Sequence, residues 1–173
     1  MTKKSSNLKM KNILLIIILI TSPILLKTYS QTNLKIDKQY GFCNFKLNDS
    51  FETWQNEIIK DKNPDRYSYI GANCDSIYGC DISKIFLDFK DDKLISITIF
   101  LIPLNSNEII NLEKNLNNNL GSSSDSEYIG AIQEKSTFWK GDKNILILDV
   151  LNPSKKFENK SMVYLMFSFT KFF

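Results

Sequence analysis

The stretch Lys84–Leu101, KIFLDFKDDKLISITIFL, decides the fold. Ile85, Leu87 and Phe89 alternate along its first half, and Ile95, Ile97 and Ile99 along its second. A period of two marks strands with one buried face, and the β-branched residues of the second half favour the same state. Lys90-Asp91-Asp92 reads as a three-residue loop whose last position is left-handed, a conformation Asp tolerates. This loop predicts Leu87 opposite Ile95 and Ile85 opposite Ile97.

Upstream of the hairpin, Tyr40–Leu47 sets Phe42, Asn44 and Lys46 against Cys43, Phe45 and Leu47, which predicts a first strand. Asp49-Ser50-Phe51-Glu52 has the form of a capping box. Phe51, Trp54 and Ile58 follow at helical spacing, so a helix is expected over 49–59. Arg66–Ile70 reads as a short strand, and Gly71–Asp81 as a Cys-bearing loop. Downstream, Pro103 ends the hairpin and Asn105 or Asn107 caps a second helix. Ile109, Leu112, Leu116 and Leu120 form its apolar stripe, with Gly121 as the left-handed residue after it.

Residues 127–133 carry a further strand pattern. Ser136–Lys140 and Asn144–Leu151 predict a second hairpin, whose latter strand is apolar on both faces and therefore central. Ser161–Phe169 is the last strand, with Val163, Leu165, Phe167 and Phe169 on one face. The expected class is α+β, an antiparallel sheet with two helices packed on one face.

The two hairpins also resemble each other. Phe89–Ile97 aligns with Trp139–Ile147 at an offset of 50 (Phe89 to Trp139), each an aromatic, Lys-x-Asp-Lys, then isoleucines two apart. The helices align at an offset of 58 (Phe51 to Ile109). A tandem duplication of a helix–hairpin unit follows, with units about 40–102 and 103–173 and the Cys74–Cys80 stretch inserted in the first. Chance likeness of two ordinary hairpins is the competing reading.

In this layout the helix Asp49–Ile59, the strand–turn–strand Phe86–Ile99, and Trp139 with Ile145–Leu148 resemble a known arrangement. Secreted bacterial proteins of the β-lactamase-inhibitor-protein type are similar, as are outer-membrane assembly lipoproteins of the SmpA/OmlA type. The resemblance implies helix-plus-strands units in an exported protein. It carries no site residue onto this chain.

Export is also readable directly. Lys3, Lys4, Lys9 and Lys11 precede the apolar run Ile13–Leu26, and the small residues of Thr28-Tyr29-Ser30 follow, the three-part pattern of a secretory signal peptide. Cleavage is expected between Ser30 and Gln31. The run is 14 residues long and broken by Pro23, against the roughly 20 needed to span a bilayer. An uncleaved anchor is the alternative. The organisation is then a signal peptide over 1–30, a flexible N-terminus over 31–39 and a single α+β domain over 40–173.

Removing the five lysines of residues 1–30 from the chain's 22 basic residues leaves 17 against 19 acids, a net of −2. Nucleic acid, which calls for a basic stripe, is not an expected partner. Three cysteines in an exported chain allow one bridge and one spare thiol. Cys74 and Cys80 bracket a five-residue loop and are the favoured pair, with Cys43–Cys74 and Cys43–Cys80 open as alternatives.

The chain has no histidine, so Ser-His-Asp and Cys-His catalysis and the commonest zinc ligand are excluded. It has one arginine, Arg66, and six glycines with no phosphate-binding loop among them. Asp88, Asp91 and Asp92 cluster near the first hairpin tip without calcium-loop spacing, and a solvated turn is the simpler reading. No catalytic residue, cofactor or metal is expected. Tyr67, Tyr69 and Tyr78 flank the Cys loop and Trp139 opens the second hairpin; these four form the candidate interaction surface.

The resulting expectation is an exported, periplasmic or extracellular, non-enzymatic protein-interaction module. Its partner would be another exported or envelope protein, with membrane contact only through the N-terminal segment. A small exported enzyme or ligand binder using carboxylates or aromatics is the second reading. A membrane-tethered domain with an uncleaved N-terminal helix is the third.

Overall fold

The computed structural model describes residues 35–127, 133–153 and 157–172. Alternating residues there build a long antiparallel sheet, α+β in class. The strands, of which the first two form a separate two-stranded ribbon, are β1 (Gly41–Phe42), β2 (Phe45–Lys46), β3 (Ile58–Lys60), β4 (Arg66–Tyr69), β5 (Ser76–Ile77), β6 (Cys80–Lys90), β7 (Lys93–Leu101), β8 (Asp125–Glu127), β9 (Gln133–Lys140), β10 (Asn144–Leu151) and β11 (Val163–Phe169). The order across the sheet is β3-β4-β6-β7-β11-β10-β9-β8, with β5 paired to β6 and β1 paired only to β2. β10 lies inside the sheet between β11 and β9, as its two-sided apolar sequence requires.

The decisive hairpin forms with a shifted register. Leu87 faces Ile97 and Ile85 faces Ile99, not Ile95 and Ile97. The turn has two residues, Asp91 (φ 51°) and Asp92 (φ 58°), both left-handed, the form that suits the twist of a tight hairpin. The register also slips between Asp88 and Phe89, so that Phe89 faces Leu94 and Ile95 drops out of the ladder. This bulge moves Leu94 into the buried row in place of Ile95, and Leu94 is fully buried.

The second helix, α2, runs over Ser106–Leu120 with a full capping box. The Asn105 carboxamide oxygen accepts from the backbone of Asn107 and Glu108, and the Glu108 carboxylate accepts from Asn105 N–H at 2.8 Å. Leu112, Leu116 and Leu120 are buried in one cluster with Leu146, Leu148 and Leu165. Gly121 follows at φ 92°, a conformation that favours glycine.

The first helix differs from expectation. Only Phe51–Trp54, α1, is helical, and Ile58–Lys60 is an edge strand. Tertiary pairing overrides the helical spacing at both ends of this segment. Phe51 N–H bonds to Asp92 O at 2.9 Å, and Asn48 and Asp49 bond to Leu94. Beyond the turn, Ile58 and Ile59 pair with Tyr69 and Ser68, where β-branched residues are at ease. One carrier of the family resemblance is thus a single turn. Tyr40–Leu47 is likewise a two-strand ribbon rather than one strand.

Residues 35–39, expected to fray, are fastened. Ile36 is buried, and Asp37 accepts from the backbone N–H of Asp142, Lys143 and Asn144 at 2.8 to 3.1 Å. A Cβ at Gly141 would run into the Asp37 carboxylate, so this close approach depends on glycine. The strand expected over 127–133 lies partly outside the described residues. The two hairpins aligned at the offset of 50 hold different places. β7 pairs across to β11 at the middle of the sheet, whereas β10, its counterpart, pairs with the strand that follows it.

Candidate functional site

Strand alternation gives the sheet two chemically different faces. On the first, Leu87, Ile97, Phe167, Leu146 and Trp139 stand in register, and α2 and residues from the N-terminal segment join their cluster. On the second, three rows cross the strands. Ser68, Phe86, Thr98, Met166, Ile147, Phe138 and Asp125 make one row. Phe100, Tyr164, Asp149 and Ser136 make another, with Lys84 at one end and Glu127 at the other. Arg66, Asp88, Ser96, Ser168 and Ile145 make the third.

The second face is held by specific contacts. Phe86 and Phe100 meet edge to face at 5.8 Å, and Phe100 stacks on Tyr164 at 5.2 Å. Lys84 Nζ sits 4.2 Å from the Phe86 centroid, and the Arg66 guanidinium lies 5.3 Å from it. Arg66 forks onto Asp88 with N–O distances of 2.7 and 2.8 Å. The hydrogen bond to Asp88 is the main reason the Arg66 pKa is raised. The buried Asp149 carboxylate accepts from Ser136 and from the Tyr164 hydroxyl. Burial first, then this bond, pushes the Tyr164 phenol well above its ordinary range, so it remains a donor.

Two hydroxyls are exceptions. Ser96 Oγ and Thr98 Oγ1 are buried and without a hydrogen-bond partner among the described residues. A buried hydroxyl left unpaired costs about 1–3 kcal/mol, so each calls for an explanation beyond packing.

The residues singled out from sequence scatter. Trp139 is 2% exposed, with Nε1 donating to Asn117 Oδ1 and Gly121 O at 3.1 and 3.0 Å. It is a core residue that ties β9 to the end of α2, which withdraws it from the candidate surface. Tyr67 packs on Phe51 and Phe89, and Tyr78 on Phe42. Tyr69 packs on Phe45 and Trp54 while its hydroxyl donates to Glu57 at 2.8 Å. All three tyrosines are half-buried against the first face, so they form no patch with the aromatics of the second.

The disulfide joins Cys43 to Cys74, with Cα atoms 5.8 Å apart, and not Cys74 to Cys80. Cys80 begins β6 opposite Ile77, its side chain turned into the core by the tight turn at Tyr78 and Gly79. Cys43 stands at the tip of the β1–β2 ribbon, where it meets Cys74. The observed bridge closes a separation of 31 residues, a loop for which chain entropy stabilises by about 3–4 kcal/mol; a seven-residue loop would gain about 1 kcal/mol less. Burial pushes the Cys80 thiol up, with Glu108 and Asp81 adding to the shift, so the spare thiol is protonated and inert.

Asp88, taken by Arg66, does not join Asp91 and Asp92, and no metal-ligating cluster occurs among the described residues. A cleft of about 280 Å³ opens instead beside Asp65, Asp91 and Asp92, with Phe51, Tyr67 and Phe89 in its wall. Ser30 and Gln31 lie outside the described residues. The disulfide fits an oxidising, exported compartment, and no helix among the described residues is long and apolar enough to cross a membrane.

The sequence signals for the second face are spread over separate strands. Phe86, Phe100 and Tyr164 alternate with the core residues of three strands, and only the strand order shows that they adjoin. No protein-family model, curated protein or solved structure matches the chain.

Proposed function

We propose that the protein is an exported, non-enzymatic interaction module whose second sheet face docks an extended segment of another exported or envelope protein. The observation that carries this reading is the row of partly exposed, mutually packed aromatics Phe86, Phe100 and Tyr164 on that face. A partner segment laid across the strands would cover the half-buried Phe86, Phe100 and Met166. Charge gives the segment a direction. Lys84 lies toward one edge of the face, and the exposed Asp125 and Glu127 toward the other. An acidic residue on the partner would meet the first and a basic residue the second. Cleavage after Ser30 releases the domain into the periplasm or medium, with no nucleic acid or cofactor involved.

A photo-crosslinking residue at Phe100 tests this in the producing cell, with Ile110, exposed on α2, as the control position. One discrete protein adduct is expected from position 100 and none from 110. Lys84→Glu should abolish it. Adducts from both positions, or an adduct indifferent to the charge reversal, would reject the face as the site.

The cleft beside Asp65, Asp91 and Asp92 supports the second reading, a small-ligand binder using carboxylates. A ligand-induced shift confined to Tyr67 and Phe89 in a metabolite screen would favour it over docking.

A further inference from the structure

We infer that the end of the sheet where the β6–β7 turn meets residues 170–172 is a binding site for a small organic anion with an apolar body. Lys90 and Lys93 flank the turn, and Lys171 lies in the 3-10 turn Thr170–Phe172 that follows β11. The sheet brings these distant residues together, because Ser168 pairs with Ser96 and leaves Phe169 beside Ile95. Thr170 then anchors the last turn, its N–H bonding to Lys143 O at 2.8 Å and its hydroxyl to Gly141 O at 3.2 Å.

A cavity of about 350 Å³ opens between the two segments. Ile95, Phe169 and Phe172 supply its apolar surface, and the three lysines its charge. Lys90 Nζ and Lys171 Nζ lie 5.6 and 5.1 Å from the centroid of the same Phe172 ring. Lys171 also lies 5.4 Å from the Phe169 centroid.

None of the three lysines makes an ion pair among the described residues, whose salt bridges are Arg66–Asp88 and Lys135–Glu113. Asp91 is the one carboxylate in the lining, so the cavity carries a net charge of +2 from three lysines and one aspartate. Three ammonium groups beside apolar surface create a local positive potential that attracts an anion. An anionic headgroup would be met by ammonium groups, which suit carboxylate, sulfate or phosphate alike because they impose no planar fork. The apolar body would lie against Ile95 and Phe169 and displace water there.

Octyl phosphate is a suitable probe, followed by amide and side-chain chemical shifts of the whole protein. Saturable shifts are expected at 90–95 and 169–172, weakening as salt is raised. Lys90→Glu with Lys171→Glu should weaken binding about tenfold or more; both positions are exposed, so the fold persists. Octyltrimethylammonium should not bind, and inorganic phosphate should bind more weakly than octyl phosphate. Equal binding of the cationic amphiphile, equal binding of inorganic phosphate, or shifts outside this end would overturn the inference. So would binding to phosphatidylglycerol vesicles without binding of monomeric octyl phosphate, which would assign the lysines to a membrane surface.

Discussion

The two faces of the central strands carry alternate residues of the same sequences, yet they obey different rules. On the first face Leu87, Ile97, Ile99, Leu148 and Leu165 are at most 1% exposed and wholly apolar. On the second, one residue along each strand, stand Phe86, Ser96, Thr98, Asp149 and Tyr164. The first face is complete: α2 and the N-terminal residues cover it, and the indole of Trp139, on that side, has both its acceptors. The second holds buried polar groups that are satisfied at Asp149 and unsatisfied at Ser96 and Thr98. Valine or alanine at those positions would remove the cost of the unpaired hydroxyls. These hydroxyls separate a wholly apolar face from one that mixes apolar and polar burial.

The sharpest way to break this comparison is to truncate equivalent positions on the two faces. Leu87→Ala should cost about 3 kcal/mol in urea denaturation, because a sealed site leaves a cavity. Met166→Ala, half-buried on the second face, should cost about 1.5 kcal/mol or less. Equal losses would mean that both faces are core.

A smaller effect of opposite sign is expected at Thr98. Thr98→Val keeps the shape and removes the unpaired hydroxyl, so the isolated protein should gain about 1 kcal/mol. Destabilisation would show that the hydroxyl has a partner in solution.

The smallest effect concerns the clip that holds Ile36 onto the first face. Burial pushes the Asp37 carboxyl up, but three backbone donors from residues 142–144 and the Lys143 charge outweigh it and hold its pKa below the ordinary value. A depressed folded pKa contributes stability that is fully present above the unfolded value, near 3.8, and is lost as pH falls through the folded one. Asp37→Asn should therefore cost about 0.5 kcal/mol at neutral pH and nothing in strong acid. A loss that does not change with pH would assign the effect to packing rather than charge.

Much of the fold was legible because local periodicity and core burial agree. Ile85, Leu87 and Phe89, the stripe Leu112, Leu116 and Leu120, and the two-sided β10 each declare themselves within one segment. The helix over 49–59 failed because Phe51 and Ile58 found partners in Asp92 and Tyr69, residues that no local pattern connects to them. The disulfide failed for the same reason: proximity in sequence favoured Cys74 and Cys80, whereas the β1–β2 ribbon delivers Cys43. The candidate site was the least legible part. Tyr67, Tyr69, Tyr78 and Trp139 lie near a loop or turn in the sequence, but which face an aromatic occupies depends on register.

By itself, the sequence determined the α+β class, the strands within 84–101, 144–151 and 163–169, and the capped second helix, since each follows from side-chain period and capping within a few residues. Tertiary structure alone decided the strand order, the one-residue bulge at Ile95, the Cys43–Cys74 bridge and the two rows that join Phe86 to Thr98 and Phe100 to Tyr164. Those features depend on contacts between residues tens of positions apart, and their energy is spread over partners that the linear chain does not identify.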